Sequence, residues 1–530
     1  MGTKNYDSAT DMITFSRASG GTALRRVGSG TELASQVFAD WTATASTLTD
    51  NGNGTWNLTD TDGGIGYIND QLTGLTVGNV YQVTSTVTNN TTSGSLTLQV
   101  GTSAGASQVA SDFVNADTNG TITFQFVASA TAHFLGFRAS AFVAGDGFDF
   151  TPISVKEVIF DVATDPLVLF NHPDNIPRIE YDAAGVVKGL LVEEQGTNLV
   201  KNSSNFGSSQ WIKGNLDIAS SSAGGESDPA AETAAHKIVT NTANTEHRIY
   251  YNVVTSTASR SVYAKAGTAN YMCITAGTTA SGYAVFNLSS GQIESQSNIT
   301  DALIEDVGNG WYRCSIVGGI VSTYIVFNVG TTANNAVPQV TWTGAGEYIY
   351  LWGAQAESTG SFASSYIPTS GNAATRAADI ASIPTSAFGY NSGAGTVVVE
   401  FDSAKLTNSG IYSLYADSSN GITSLVYPSN RVSYQVVDGG ALQVNDNFAD
   451  YNVSGQTSKV ATTYSNNDFA AVLDGGAVSS DTGGSVPAAT NIVLGNYLGT
   501  GSSFQMSGHI KSIQYYPRRL SNAQLQELTT

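Results

Sequence analysis

An all-β architecture, three β-sandwich modules of jelly-roll type plus a small N-terminal hairpin platform, is predicted by three observations. Short segments such as YQVTSTVTN, GTITFQFVAS and GTVVVEFD alternate apolar with polar residues, the period of an antiparallel strand with one wet face. Gly, Asn and Thr turns bound these segments at short intervals, the spacing of sandwiches and barrels. Charged residues make up only 12% of the chain while glycine alone supplies 56 positions, which suits many short strands joined by tight turns. With 530 residues, the chain exceeds one core, and ~3 or 4 domains are expected.

Residues 1–33 are an entry segment, with DMITFSRAS as a strand and GTALRRVGSGTEL as a turn and return. Arg17, Arg25 and Arg26 concentrate positive charge there. A solvated face is one reading of them, and docking onto an acidic neighbouring subunit is the other. Residues 34–157 carry TWNLTD, YQVTSTVTN, GSLTLQVG, GTITFQFVAS, AHFLGFRAS and FDFTPISVKEV, enough alternating strands for a complete inserted sandwich. Residues 158–200 form a linker with turn signals at Pro166, Pro173 and Pro177, followed by the hairpin PRIEYDAAGVVKGLLVEE. Arg178 in that hairpin joins the docking candidates.

Residues 201–370 form the second sandwich, whose strands include RSVYAKAG, YMCITAG, YAVFNLSSG, GNGWYRCSIVGG and EYIYLWGAQAES. The GNG tripeptide supplies positive φ at a hairpin turn, Trp311 and Trp352 are expected to fill the core between the sheets, and AETAAHK at 231–237 reads as a short helix-like piece. Residues 371–530 form the third module, closed by the helix SNAQLQEL, with Ser521 as its cap and Gln524 at the capping-box position. Cys273 and Cys314 each sit inside an apolar strand. Buried thiols are favoured over a bridge between neighbouring strands, which stays open.

A net charge of −20 argues against nucleic acid and anionic membranes as partners. The N-terminus has no apolar run of signal-peptide length, and no stretch of ~18 apolar residues predicts membrane insertion. These features predict synthesis in a cytoplasm without a secretion signal. No nucleophile, metal or phosphate motif occurs, no cofactor is expected, and the five histidines are scattered, which lowers the expectation of an enzyme. Glycoside hydrolysis needs two carboxylates alone. Glu193 and Glu194 point to opposite faces of a strand, Glu400 and Asp402 share one face, and Asp146 with Asp149 in GDGFDF reads as a polar turn or, more weakly, half of a calcium site. For sugar binding, the ring-bearing candidates near loops or strand ends are Trp41, Trp56, Trp211, Trp342, Tyr390 and Tyr497; packing over a sandwich edge is the competing role for each.

FSRAS at 15–19, PRIEYD at 177–182 and GLLVEEQGTNL at 189–199, followed by SVYAKAG, IEDVGNGWYRCSI, YLWGAQAE and SYIPTSG with TRAAD, resemble segments of phage virion structural proteins. The ending GTVVVEF, KVATTYSNNDFAAVLDGG and GHIKSIQYYPRRLSNAQLQEL resembles the concanavalin A-like lectin and laminin-G sandwich of the same proteins, and residues 34–157 are similar to jelly-roll carbohydrate-binding modules. The resemblance implies a fibre, spike or decoration subunit in the virion, assembled with other virion proteins as a homo-oligomer, with a trimer expected. Its sandwiches would meet host-surface polysaccharide, and the arginines at 17, 25, 26 and 178 would dock a platform made of the entry strand and the hairpin. A capsule-degrading glycosidase and a purely architectural subunit are the alternatives.

Overall fold

The computed structural model describes residues 13–34, 38, 41–63, 66–139, 143–219, 225–232, 235–277, 282–358, 362–405, 408–427, 430–451, 455–499 and 504–530, with the backbone alone at 219, 254–256 and 320–321. All sheets are antiparallel and strands dominate, so the chain is all-β. It divides into two compact units, one made of residues 1–25 with 167–530 and the other of residues 26–166.

The 26–166 unit is a sandwich. One of its sheets orders Thr42–Thr44, Tyr67–Thr73, Ala132–Ala139, Leu96–Gly101 and Ala110–Val114; the other is built around Val80–Thr88, which pairs with Gly120–Val127, Gly147–Phe150 and Ser154–Phe160. Period-two burial along Val80–Thr88 and Gly120–Val127 sends alternate residues into a core rich in aromatic rings, with Phe38, Phe137, Phe148 and Phe150 fully buried.

In the larger unit, the second sandwich is one sheet rolled on itself. Arg248–Ala266 and Trp311–Gly330 are long strands paired along their length, with register shifts between Asn252 and Ser259. Before the shifts the pair continues into Trp211–Gly214 and Tyr271–Thr275, and beyond them into Tyr348–Glu357 and Asp301–Gly308. The irregularity thus carries both strands from one layer into the other, around a core of residues such as Trp211, Val262, Ile274, Phe327 and Leu351. Positive φ at Gly308, Asn309 and Gly310 makes the expected tight turn before Trp311. Trp311 and Trp352 are buried, but outside that inter-sheet core: they pack with Tyr263, Tyr366 and Leu169 on the sheet's other face, because Tyr312 and Leu351, their neighbours along the strands, take the inner positions. The piece 231–237 is not helical over its described residues, and His236 opens the strand His236–Thr240. Its β-branched Ile238, Val239 and Thr240 pair along both edges.

The third sandwich absorbs the expected platform. Its first sheet runs from Thr14–Ser16 through Ile380–Pro384, Asn491–Leu494, Ser409–Asp417, Asn420–Tyr427 and Arg431–Asp438 to Ala441–Asp450. The second runs from Ile179–Tyr181 through Val187–Val192, Gly508–Tyr516, Ala394–Ser403, Ser458–Ser465 and Phe469–Leu473 to Ser479–Asp481. The entry strand and the hairpin therefore lie in opposite layers of the C-terminal sandwich, around its core of Phe15, Leu190, Val399, Tyr412 and Ile422. They make no separate platform, because Phe15 and Leu190 bury in that shared core. At Gly189 the φ is +131° and a Cβ would lie 2.7 Å from the carbonyl oxygen of Ile510, so glycine is what lets the hairpin approach Gly508–Tyr516. Ser521 caps the closing helix Asn522–Thr529 with Gln524 reciprocating, and Leu525 packs on Val398, Ala461 and Val472.

Candidate functional site

The charged residues of the quoted segments converge. Arg17 of FSRAS, Arg178 of PRIEYD, Glu193 of GLLVEE and Arg376 and Asp379 of TRAAD form one buried network. Arg17 Nη1 lies 3.2 Å from Asp379 Oδ1, and Arg178 Nη2 lies 2.5 Å from Asp379 Oδ2 and 2.8 Å from Glu193 Oε2. Three guanidiniums thus face two carboxylates, and backbone carbonyls take the surplus donors: Ser19 and Pro173 accept from Arg17, Thr22 from Arg178 and Glu194 from Arg376. Burial, then the like charge of Arg178, pull Arg17 down to about 10, against the attraction of Asp379. Arg25 contacts the Nε2 of buried His172 at 3.1 Å and donates to the carbonyl of Pro177. Burial and the surrounding arginines hold that imidazole well below its ordinary value, so it accepts this bond as a neutral ring.

This arrangement corrects the docking expectation. Arg17, Arg178 and Arg25 are 1%, 0% and 5% exposed and are consumed inside the larger unit, so they offer no surface to a partner. Arg26, in the other unit, is half-buried and donates to the carbonyl of Asp165.

Beside the network opens a cleft of about 420 Å³ between the second and third sandwiches, within the ~300–1,000 Å³ typical of small-ligand sites. The hairpin contributes Glu180, Lys188 and Glu193, the second sandwich Asp301, Glu305 and Arg313, and the third Asp402 and His509. His509, on Gly508–Tyr516, lies between two carboxylates: Nε2 is 2.6 Å from Glu180 Oε2 and Nδ1 is 2.9 Å from Asp402 Oδ1. Burial alone would lower its pKa, but the hydrogen bonds to Asp402 and Glu180 and their charges outweigh it and raise the imidazole to about 9. Lys188 bridges Glu180 at 3.2 Å and Glu305 at 2.9 Å. Burial opposes ionisation of Glu180, yet Lys188 and His509 hold its carboxyl well below the usual range. Chemically, the cleft is a concave set of acceptors and donors held by one another, with an apolar edge at Leu303 and Phe362.

The remaining expectations distribute as follows. Asp402 reaches the cleft, whereas Glu400 does not line it. Glu193 and Glu194 lie just past the end of the strand Val187–Val192, not within a strand as expected, and still diverge, Glu193 to Arg178 and Glu194 to Lys405 at 2.9 Å. Asp146 accepts from the backbone of Val143 and from Ser93, and Asp149 from Asn51, Asn57 and Asn89. They act as separate turn organisers, and among the described residues no group of three or more His, Cys, Asp or Glu is placed to hold a metal ion. Cys273 and Cys314 are free, buried in different clusters, and pushed well up by burial.

Of the aromatic candidates, Trp41 and Trp211 are core residues and not sugar platforms. Trp41 packs 4.8 Å from Phe38, and Trp211 packs 4.5 Å from Phe206 with its indole N–H donated to Asn202. In both cases a neighbouring ring and the sheet cover the face that would receive a ligand. Trp56 is half-buried 5.5 Å from Phe38, Trp342 is half-buried edge-on to His247 at 4.7 Å, and Tyr390 packs against Phe388 and Tyr515. Tyr497 is half-buried 5.2 Å from Phe504, whose ring lies parallel to exposed Tyr427. Glu180, Lys188, Glu305 and His509 were not legible as a site, since they lie far apart in sequence and carry no spacing signal.

No family model matches the chain, and no curated protein sequence matches it. Among solved structures, the chain is similar to the Ruminococcus gnavus IT-sialidase CBM40 bound to α2,3-sialyllactose, at 13% identity over 26% of this chain and 84% of that one, with a TM-score of 0.24. It is similar to the CBM22-1–CBM22-2 tandem domain of Paenibacillus barcinonensis Xyn10C, at 13% identity over 62% and 98%, with a TM-score of 0.19. Mouse laminin α1 domains LG4-5 align at 11% identity over 53% and 90%, also at 0.19. At these low values the fold class rests on the chain's own sheets.

Proposed function

We propose that the chain is a bacteriophage virion structural protein, a fibre, spike or decoration subunit, whose β-sandwiches bind host-surface glycan without chemically altering it. The observation that carries the binding half is the cleft between the second and third sandwiches, where ionised planar side chains from three stretches of sequence meet at a cavity of about 420 Å³. Sugars are held by such groups because carboxylates and guanidiniums pair with hydroxyls in fixed directions. The virion half rests on the resemblance of FSRAS, PRIEYD, GLLVEEQGTNL and TRAAD to virion proteins, and with it go a place in the particle, other virion proteins as partners, and a homo-oligomer in which many weak sites act together.

The state of Glu180 speaks against its serving as the acid of a glycosidase. A glycosidase acid has to keep its proton near neutral pH, whereas Lys188 and His509 hold Glu180 ionised, and His509 is bonded to both Glu180 and Asp402. The test is retention of glycans and intact host cells by the oligomeric full chain, together with immuno-labelling of purified particles. Binding with unchanged glycan length and labelled particles is the expected result. Shortened chains would establish hydrolysis, and particles labelled without glycan or cell binding would leave an architectural subunit.

A further inference from the structure

We propose that the cleft receives a single sugar residue that is neutral or carries an amino group, held through its O–H and N–H donors, and that it rejects acidic sugars; this rests on the glycan-binding reading above. The protein leaves acceptor capacity unused here. Glu180 directs Oε2 to both Lys188 and His509, and Oε1 has no partner among the described residues. Glu305 gives Oε1 to Lys188 and likewise leaves Oε2 open. Asp402 is more than nine-tenths buried, and its Oδ1 takes the backbone and ring N–H groups of His509. Its Oδ2 takes no hydrogen bond among the described residues and pairs by charge with the Nζ of Lys511 at 3.6 Å.

A carboxylate oxygen only accepts, so three open oxygens around one cavity call for a ligand that presents several donors. The hydroxyls of a pyranose do so, and an ammonium group does so with added attraction. Donor capacity is smaller: Arg313 gives Nη2 to Ser261 and Ser364, while its Nε has no hydrogen-bond partner among the described residues. Charge decides against acids. Glu193 is neutralised by Arg178 and Arg376, and Glu180, Asp301, Glu305 and Asp402 balance Lys188, Arg313, His509 and Lys511, so the cavity holds no surplus cation for an acid. Lys188 is already shared between two carboxylates, and a uronate or sialate would place another negative charge beside them. Leu303, 57% exposed at the edge, offers apolar surface to the C–H face of a ring.

The experiment titrates the full chain calorimetrically at neutral pH with a panel of free neutral hexoses, hexosamines, hexuronates and sialic acid, and repeats it on Glu305→Gln and Asp402→Asn, with thermal midpoints as a folding control. A neutral or amino sugar should bind, and Glu305→Gln should weaken it about tenfold, the scale of one charge-assisted hydrogen bond. Preferential binding of a hexuronate or sialate would overturn the proposal, and so would binding unchanged in both variants. If polymeric glycans are retained by the full chain but only Tyr497→Ala reduces retention, the glycan reading stands and the cleft assignment falls. If no glycan is retained at all, both fall.

Discussion

Two neighbouring clusters of the same residue types behave in opposite ways. In the Arg17–Arg178–Arg376 network each guanidinium has an acid or a carbonyl to donate to, and Asp379 is fully buried. In the cleft, Glu180, Glu305 and Asp402 each leave an oxygen open beside a cavity. The hairpin feeds both, for Arg178 enters the network and Glu180, two residues on, enters the cleft. Arginines and carboxylates thus serve as internal fasteners where they face one another in a buried cluster and as a receptor where they border a cavity. Access to a cavity, more than residue type or charge, separates structure from site.

The largest effect should come from the closed cluster. Asp379→Asn leaves three buried guanidiniums with one carboxylate, and a loss of about 3–5 kcal/mol is expected for breaking buried pairs. Hydrogen exchange at Val397–Phe401 would report it, and protection like that of the parent would mean that backbone carbonyls suffice.

His509 comes next, as a link between closed and open behaviour. Its folded pKa of about 9 lies above the unfolded value of ~6.5, so its contribution is complete below ~pH 6.5 and is lost as pH rises toward 9. At ~1.4 kcal/mol per pKa unit the loss approaches ~3 kcal/mol. Glu180 has the opposite sign: its depressed pKa contributes above its unfolded value and is lost on acidification. Urea midpoints from pH 5 to 9.5 should fall on the alkaline side, and His509→Gln should flatten that limb.

Lys188→Met removes a partner of both Glu180 and Glu305 at a partly exposed position. About 1 kcal/mol is expected by thermal unfolding, since solvent screens such pairs. Smallest of all, Glu305→Gln should move stability by less than ~1 kcal/mol while changing sugar binding. A large destabilisation there would make the cleft another fastener and erase the contrast.

Much of the fold was legible. Alternation in GTVVVEFD gives the strand Ala394–Ser403 with its near-continuous burial, and Ser521 with Gln524 gives the capped helix. These are local signals, fixed by the side-chain period of a strand and by the unpaired N–H groups of a helix end. Trp311 and Trp352 are buried as expected, but on the sheet's outer face and not in the core between the sheets, because a strand buried on both faces has no wet side to set its phase. Trp41 and Trp211 misled for a related reason: position near a strand end does not say whether a neighbouring ring covers the indole.

The sequence by itself determined the β class, the turns and the capped helix. Tertiary structure alone decided that the arginines of FSRAS, PRIEYD and TRAAD face inward, that the entry strand and hairpin complete opposite sheets of the third sandwich, and that Glu180, Glu305, Asp402 and His509 share a cleft. The reason is range. Period, turn and cap act over a few residues, whereas burial of a charge and the meeting of its partners depend on contacts between segments hundreds of positions apart, as Arg17 and Asp379 are, 362 residues from one another.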